Sequence, residues 1–139
     1  MQFTLTSHSP DETTVLADKL APLLTKGDVL LLVGDVGAGK TDLARKIIQN
    51  RMERHGAVED VPSPSFTLVQ TYALGETEYI HADLYRLSHP DEVFELGLEH
   101  GFDNAICLVE WPDRLGTLAP ENALNITISI TDENIRTFK

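Results

Sequence analysis

The chain has 139 residues, of which 42% are hydrophobic and 24% are charged. These values are ordinary for a globular protein and argue against disordered, collagen-like and coiled-coil chains. The length predicts a single domain over residues 1–139. A balance of 11 basic and 22 acidic residues gives a net charge of −11. That sign argues against direct, high-affinity nucleic-acid binding, because phosphate neutralisation needs clustered lysines and arginines, although a local basic pocket stays compatible with it.

The cysteine content and the apolar stretches bear on the compartment. The single cysteine, Cys107, lies in an apolar run, which leaves no partner for a disulfide framework or a cysteine-based metal site and fits a reducing compartment. The N-terminus lacks a basic segment followed by an apolar core, and the longest strongly apolar stretch, residues 29–34, is too short to span a bilayer. We therefore expect a cytoplasmic protein with neither an export signal nor a membrane span.

The first half of the chain predicts a helix, a buried strand, a glycine-rich turn and a second helix. A capping motif that begins at Ser9 predicts a helix through about Leu24, ended by Gly27. Residues 29–33 lack polar alternation, which is typical of a parallel strand covered on both faces. A second helix is predicted from Thr41 to about Arg54. The expected inward side chains are Val15, Leu16, Leu20, Leu23 and Leu24 in the first helix and Leu43, Ala44, Ile47 and Ile48 in the second.

The second half predicts four strands and one short helix. Turn-forming residues around Gly75 favour an antiparallel hairpin between the first two strands. The helix is expected to begin at Pro90 and to end near Gly97 or Gly101. The last strand alternates, which predicts one exposed face. The predicted strands are residues 66–72, 78–83, 105–109 and 124–130.

Residues 34–41, Gly-Asp-Val-Gly-Ala-Gly-Lys-Thr, match the phosphate-binding loop pattern G-x-x-x-x-G-K-[ST] in full. Glycines let successive backbone N–H groups point at phosphate oxygens, Lys40 can reach the β- and γ-phosphates, and the Thr41 hydroxyl can ligate Mg²⁺. The following helix adds its positive N-terminal end. A chance match in a chain of this length has a probability of roughly half a percent. Because the flanking strand and helix are also predicted, the sequence predicts nucleotide binding.

Two carboxylates follow predicted buried strands. Asp83 ends the strand after the turn at Gly75, and Glu110 ends the strand at residues 105–109. A phosphate-binding loop needs a carboxylate that holds Mg²⁺ directly or through water, and both residues are expected at the carboxyl edge of the sheet, where ligands bind. The alternative for each is a strand-terminal carboxylate that caps the next element.

Three further residues have a functional and a structural interpretation. His81 could act as a base, but a histidine beside a strand end is more often packed or hydrogen-bonded for structural reasons. Arg86 could stabilise transferring phosphate charge, and the simpler expectation is an ion pair with Asp83 or Glu92. Trp111 could pack on a base or on a partner surface, whereas a solitary tryptophan is more often part of the core.

The combination of motifs resembles the TsaE family of bacterial ATPases, which act in threonylcarbamoyladenosine modification of tRNA. The resemblance rests on residues 34–41, Ser63-Pro64-Ser65-Phe66, His81-Ala82-Asp83-Leu84-Tyr85-Arg86 and Glu110-Trp111-Pro112 in this order and spacing. It extends from about residue 12 to residue 115 and is weak beyond residue 120. It implies an α/β fold, a P-loop NTPase-like three-layer sandwich with a mixed, mainly parallel sheet. It also implies ATP and Mg²⁺ as cofactors, and ATP hydrolysis that supports TsaD and TsaB partners, with tRNA contacted only through them and no membrane association.

The resemblance implies a role for each matching residue. Lys40 and Asp83 would be catalytic, Lys40 by binding phosphates and Asp83 by orienting or activating the attacking water, while Thr41 and Glu110 would hold Mg²⁺. The implied cofactor-binding residues are Thr13, Asp35, Val36, Gly37, Ala38, Gly39, Lys40, Thr41 and Ser65.

The chain departs from the family pattern at two positions. Ser65 stands where the family has threonine, which keeps a hydroxyl but loses a methyl group. Asp42 stands where the family commonly has a second threonine after the Lys-Thr pair. A carboxylate there competes with phosphates for the field of the helix N-terminus. It predicts somewhat weaker nucleotide binding unless Mg²⁺ or a basic neighbour such as Arg45 compensates.

Two other functions compete with a partner-dependent ATPase. A small nucleoside or metabolite kinase could use the same loop, but such an enzyme usually needs an arginine-rich lid, and the six arginines, at 45, 51, 54, 86, 114 and 136, form no downstream cluster. A non-hydrolysing module could use the nucleotide only to set the shape of a docking surface.

Overall fold

A central sheet carries the candidate residues at one of its edges. The structure, a computed structural model of the chain, describes residues 5–7, 10–35, 37–87, 89, 91–132 and 135–138. The strands are β1 (Leu5–Ser7), β2 (Val29–Val33), β3 (Val69–Leu74), β4 (Thr77–Asp83), β5 (Ile106–Glu110), β6 (Leu124–Asp132) and β7 (Ile135–Phe138). The helices are α1 (Pro10–Leu20), α2 (Lys40–Glu53), α3 (Glu92–Glu95) and α4 (Leu98–Asn104), with 3₁₀ segments at Ala21–Leu23 and Pro112–Leu118.

The sheet has seven strands in the order β1-β7-β6-β2-β5-β4-β3. The four strands β6, β2, β5 and β4 are parallel to one another. Strand β3 is antiparallel to β4 at one end, and β7 and β1 are added antiparallel at the other. This topology confirms the expected mixed, mainly parallel sheet of an α/β fold.

Helices cover both faces of the parallel strands, which explains why β2 and β5 lack polar alternation. On one face, Leu30, Leu32 and Leu108 pack beneath α1 and α2. On the other face, Leu31 and Val109 pack against α3, α4 and the second 3₁₀ segment. The expected three-layer arrangement is therefore confirmed. Within the described ranges, none of the helices has the length and apolar character that crossing a bilayer requires.

Helix α2 follows the prediction closely, and α1 departs from it. The four predicted inward side chains of α2 are fully buried. In α1, Leu16 and Leu20 do pack partly buried against the core, but Val15 is 51% exposed, and in the segment that follows Leu23 is 73% exposed. The buried stripe consists of Thr13, Ala17 and Ala21, spaced four residues apart, and Val15 lies about 200° around the helix from Ala17. Small alanines let α1 approach α2 closely. The prediction that Val15 and Leu23 face inward was therefore wrong. Ser9, the predicted cap, lies outside the described residues.

The hairpin at Gly75 is confirmed, with a later start than predicted. β3 and β4 pair antiparallel around a two-residue turn, Gly75 and Glu76. β3 begins at Val69 and not at residue 66, because residues 64–68 form a turn in which the Leu68 N–H donates to the Pro64 carbonyl oxygen at 2.7 Å. Leu68 takes the left-handed conformation, with φ of 67°, which interrupts the extended chain.

The predicted short helix is two helices. A break at Gly97, with φ of 77°, separates α3 from α4, and α4 continues through Gly101 to Asn104. Gly101 does not end the helix. It allows close packing on the sheet, since a Cβ there would lie 2.5 Å from Ile80 Cδ1. Pro90 lies outside the described residues.

The last predicted strands are confirmed as β5 and β6, and two strands escaped prediction. In β6, Ile126 and Ile128 are buried while Asn125 and Thr127 are exposed, as the alternation predicted. β1 and β7 pair with each other, and their few residues carry no strong pattern of their own. Strands of three and four residues are defined by their partners, which a local sequence pattern does not reveal.

Candidate phosphate-binding site

The loop of residues 34–39 joins the end of β2 to the beginning of α2. Gly37 and Gly39 have φ of 81° and 112°, in the left-handed region that favours glycine. A Cβ at either residue would meet no heavy atom within 4 Å, and both glycines line the cavity described below. At Gly34 the requirement differs, because a Cβ there would lie 2.6 Å from the Ile128 carbonyl oxygen of β6. Val36, a predicted cofactor-binding residue, lies outside the described residues.

Lys40 is folded back onto its own loop. It is 5% exposed, and its ammonium group donates to the carbonyl oxygens of Gly34 and Asp35, the latter at 3.1 Å. The same Nζ lies 3.8 Å from the ring centroid of Trp111, which is a cation–π contact. Burial lowers the pKa of the Lys40 ammonium, and the negative charges of Glu110 and Asp83 oppose that shift. Lys40 is thus a cation held where phosphate oxygens would compete for it.

Glu110 connects α2 to β4 through its two carboxylate oxygens. The Thr41 hydroxyl donates to Glu110 Oε1 at 2.7 Å, and His81 Nε2 lies 2.6 Å from Glu110 Oε2. Glu110 and His81 are both buried. A threonine hydroxyl beside a carboxylate is an all-oxygen donor pair of the kind that Mg²⁺ prefers. Among the described residues no group of three or more His, Cys, Asp and Glu side chains gathers as a metal site.

Asp83 lies beside Glu110, because the register of β4 and β5 pairs these two residues. Its Oδ2 accepts hydrogen bonds from the hydroxyls of Ser63 and Ser65 at 3.3 and 3.4 Å, and its Oδ1 accepts the Tyr85 N–H at 3.1 Å. Ser63 and Ser65 also contact each other at 2.8 Å. The carboxylate is therefore held in place by the segment of residues 63–65. The prediction included Ser65 and missed Ser63, although both belong to the Ser-Pro-Ser-Phe motif.

These groups line one cavity of about 440 Å³, within the usual range for a small-molecule site. Of the other predicted residues, Asp35 is exposed and contributes its carbonyl oxygen to Lys40. Thr13 is buried on α1 and is not among the lining residues, so its part in cofactor binding stays a prediction. The cavity is lined by Gly37, Ala38, Gly39, Lys40, Thr41, Asp42, Arg45, Ser63, Ser65, Asp83, Tyr85, Arg86, Glu110 and Trp111.

Arg86 does not form the expected ion pair. In the described part of the chain no salt bridge joins it to Asp83 or Glu92; its guanidinium lies 4.6 Å from the ring centroid of Phe66. The exposed ring of Phe66 offers a π face at the rim of the cavity, which a planar guanidinium favours. Trp111 is half-buried and lies 4.9 Å from the Tyr85 ring, so it belongs to the cavity wall and not to the interior of the core.

Asp42, which departs from the family pattern, has two basic neighbours on α2. Asp42 lies 2.9 Å from the Lys46 ammonium and 3.7 Å from the Arg45 guanidinium. Both cations reduce the negative potential that this carboxylate adds to the beginning of α2. Arg45 also donates from Nε to the Val61 carbonyl oxygen at 2.9 Å, which ties α2 to the segment that carries Ser63.

Comparison with known proteins identifies the family. A family model described as "Threonylcarbamoyl adenosine biosynthesis protein TsaE" matches residues 7–138 of this chain. The chain belongs to the TsaE family. The tRNA threonylcarbamoyladenosine biosynthesis protein TsaE of Rickettsia felis is 37% identical over 129 residues, which cover 93% of this chain and 74% of that protein. The TsaE protein of Haemophilus influenzae is 35% identical over 137 residues, covering 93% and 84%.

A solved structure extends the TsaE likeness to three dimensions. The crystal structure of Bacillus subtilis YdiB superposes with a TM-score of 0.77 at 30% sequence identity, covering 99% of this chain and 83% of that one. The family match reaches residue 138, so it includes the C-terminal strands where the sequence resemblance is weak. The fold and the family are thus established together, by sequence and by structure.

Proposed function

We propose that this chain binds ATP with Mg²⁺ in the cavity between the loop of residues 34–41 and the ends of β4 and β5, and that it hydrolyses the ATP. The observation that carries the proposal is the 2.7 Å hydrogen bond between Thr41 and Glu110 beside a glycine turn that lines the cavity. It joins a helix N-terminus that favours anions to a pair of oxygen donors that favour a divalent cation. Mg²⁺ and triphosphate need those two features within one cavity.

The residues present fit both groups. Gly37, Ala38 and Gly39 line the cavity, so phosphate oxygens bound there would lie beside the backbone of this turn. Thr41 and Glu110 would hold Mg²⁺, which when bound would neutralise charge on the phosphate oxygens. Lys40 would exchange its contacts with the Gly34 and Asp35 carbonyl oxygens for contacts with phosphate. That exchange is favourable because an ammonium binds an anionic oxygen more strongly than a neutral carbonyl oxygen.

Hydrolysis on this site would depend on positioning and electrostatics, with no covalent intermediate. Asp83 is the group that would orient the attacking water. Ser63, Ser65 and the Tyr85 N–H hold its carboxylate at the cavity wall. Since both serines belong to the loop before β3, a movement of that loop would change the placement of Asp83. Turnover would then be slow until a partner fixes the loop.

Within this proposal the chain takes part in the biosynthesis of threonylcarbamoyladenosine at position 37 of tRNA, in the cytoplasm and together with TsaD and TsaB homologues. Support comes from the names of its relatives, which are tRNA threonylcarbamoyladenosine biosynthesis proteins at 35–37% identity. The net charge of −11 supports indirect contact with tRNA through the partners, since a chain of this charge repels a polyanion.

The test is phosphate release from ATP by the chain alone and with TsaD and TsaB homologues. Release that requires Mg²⁺ and rises with the partners supports the proposal. Phosphate transfer to an added small acceptor, without release to water, would identify a kinase instead. Binding without release or transfer, with and without the partners, would identify a non-hydrolysing module. Depletion of the protein from cells should lower the threonylcarbamoyladenosine content of tRNA, and unchanged content would refute the biosynthetic role.

A further inference from the structure

We propose that His81 is a positioning residue for Glu110, and that it sets how tightly the site binds Mg²⁺. The inference rests on the proposed function, because it concerns the carboxylate that would hold the metal. The resemblance to the TsaE family implies no role for His81, and the sequence alone favours a structural role for it. The juxtaposition that carries it is the 2.6 Å contact between His81 Nε2 and Glu110 Oε2.

The geometry gives each oxygen of Glu110 its own partner. Oε2 faces His81 Nε2 at 2.6 Å, and Oε1 accepts the hydrogen bond of the Thr41 hydroxyl at 2.7 Å. His81 and Glu110 lie on neighbouring parallel strands, where His81 is in register with Leu108, two residues before Glu110. Because side chains alternate along a strand, Leu108 and Glu110 point to the same face of the sheet, and His81 faces the Glu110 carboxylate from the next strand.

Burial excludes a direct role for His81 in contacting substrate. Its side chain has 0% exposure, and it is not among the described residues that line the cavity. Any influence on a bound nucleotide must pass through another side chain. Glu110, which does line the cavity, is the side chain that it contacts. His81 therefore acts on the site through the orientation of one carboxylate.

The surroundings of the ring assign its proton. Nδ1 is buried and has no hydrogen-bond partner among the described residues. A proton on Nδ1 would leave a buried N–H without an acceptor and would turn the lone pair of Nε2 toward a carboxylate oxygen. A proton on Nε2 gives a charge-assisted hydrogen bond to Oε2. His81 is thus in the Nε2–H form and donates to Glu110.

Such a donor has a defined consequence for the metal. An ionised carboxylate only accepts hydrogen bonds, so its orientation depends on the groups that donate to it. With His81 occupying Oε2, rotation of the Glu110 side chain would break a buried hydrogen bond, so Oε1 stays directed at Thr41. Loss of a hydrogen-bonding partner of this kind typically lowers metal affinity by about 10- to 100-fold.

The experiment compares His81→Leu, which cannot donate, with His81→Gln, whose side-chain amide can donate from a similar position. ADP affinity is measured by calorimetry over a range of Mg²⁺ concentrations and also without Mg²⁺. We expect His81→Leu to raise the half-saturating Mg²⁺ concentration by about tenfold or more, with unchanged ADP affinity in the absence of Mg²⁺. His81→Gln should recover most of the wild-type value. A matched control is Ile80→Val, the neighbouring residue of β4, which packs in the core on the opposite face of the sheet.

The outcomes separate this inference from the proposed function. If the wild type binds no nucleotide at any Mg²⁺ concentration, the proposed function fails. If the wild type binds ADP in a Mg²⁺-dependent way and His81→Leu has the same half-saturating concentration, only the positioning role is overturned. An equal shift in Ile80→Val also overturns it, since general loosening of β4 would then be the cause.

A measurement on the unmodified protein keeps the inference testable if the leucine variant does not fold. Nitrogen NMR of ¹⁵N-histidine-labelled wild type distinguishes the two neutral forms of the His81 ring. The Nε2–H form supports the proposal. The Nδ1–H form overturns it, because Nε2 could then donate nothing to Glu110.

Discussion

Replacement of Lys40 by methionine separates nucleotide binding from folding. Methionine keeps a long unbranched side chain against Trp111 and removes the ammonium that contacts the carbonyl oxygens of Gly34 and Asp35. In the proposed function this ammonium is the group that moves to the phosphates. In the proposed nucleotide-bound state the ammonium contacts an anion, whereas without nucleotide it contacts only neutral carbonyl groups. The substitution therefore removes a stronger contact from the bound state than from the unbound state.

The size of the effect follows from the strength of charged hydrogen bonds. A hydrogen bond to a charged group contributes about 1.5–3 kcal/mol, and the ammonium of Lys40 can reach more than one phosphate oxygen. A loss of about 3 kcal/mol corresponds to a weakening on the order of 100-fold, at about 1.4 kcal/mol per tenfold. Folding should respond differently. Burial lowers the pKa of Lys40, which means that the folded state disfavours its charge, so the free energy of unfolding of Lys40→Met should be unchanged or higher.

The pKa shift also fixes a sign for the pH dependence. Because the folded-state pKa of Lys40 lies below the ordinary 10.5, the unfolded chain binds this proton more tightly in the interval between the two values. The unfolding free energy of the wild type should therefore rise relative to that of Lys40→Met as the pH approaches 10.5 from below. Urea titrations of both proteins at pH 7 and at a higher pH measure the difference.

The assay for binding is calorimetry with a non-hydrolysable ATP analogue and Mg²⁺. Trp111, the only tryptophan, gives a second signal, since its ring lies 3.8 Å from Lys40 Nζ and its emission should change when nucleotide draws the ammonium away. Lys26→Met is the matched control, an exposed lysine near the opposite end of β2. Binding by Lys40→Met within threefold of the wild type would refute the placement of the site. So would equal weakening in the control.

Three further results are expected. Asp83→Asn should lower kcat by about 100-fold or more with little change in ATP affinity, whereas Glu110→Gln should raise the Mg²⁺ concentration required for binding. Both effects are measured by titrating turnover with Mg²⁺. A raised Mg²⁺ requirement in Asp83→Asn and a lowered kcat in Glu110→Gln would mean that the two roles are exchanged. Burial raises the pKa of the Cys107 thiol from 9.0 to about 12, so the stability that this group contributes is complete below pH 9.0 and declines toward about pH 12. At neutral pH a disulfide reagent should label Cys107 only after the fold opens, and ATP with Mg²⁺ at 100 times its Kd should slow labelling about 100-fold. Fast labelling that does not depend on nucleotide would contradict this expectation. Gly34→Ala should lower the unfolding free energy by about 1–3 kcal/mol, because its Cβ would lie 2.6 Å from the backbone carbonyl oxygen of Ile128, and an unchanged urea midpoint would contradict that packing.

The sequence predicted those parts of the fold that local sterics and apolar pattern determine. The glycines and the apolar strand of the phosphate-binding loop act through their own backbone and immediate neighbours, so β2, the loop and α2 could be placed within one or two residues. The turn of the hairpin at Gly75 was also placed correctly, although β3 begins three residues later than predicted. The phase of α1 could not be predicted as well, since Ala17 and Ala21 face α2 because of a close helix contact. That contact depends on the whole sheet and not on the segment.

The hydrogen bonds within the site could not be predicted from local sequence, because they join residues that are far apart along the chain. The partners of Glu110 are separated from it by 69 residues for Thr41 and by 29 for His81. Ser63 and Asp83 are 20 residues apart. Each contact exists only when several strands have been arranged in a particular order. Motifs indicated which residue types are present at the edge of the sheet, but not which of them share a hydrogen bond.

Strand order also decides which of the two carboxylates faces the loop helix. β5 is adjacent to β2 and β4 is one strand further away, so Asp83 starts about 4.8 Å farther from the loop than Glu110 does. The register places Glu110 opposite Leu32, close to the end of β2, and Asp83 opposite Glu110. Glu110 can therefore reach Thr41, while Asp83 meets the serines that precede β3. Two carboxylates with similar sequence contexts thus acquire different partners, and the topology of the sheet, not the acidity of either group, separates the position to which we assign the metal from the position to which we assign the attacking water.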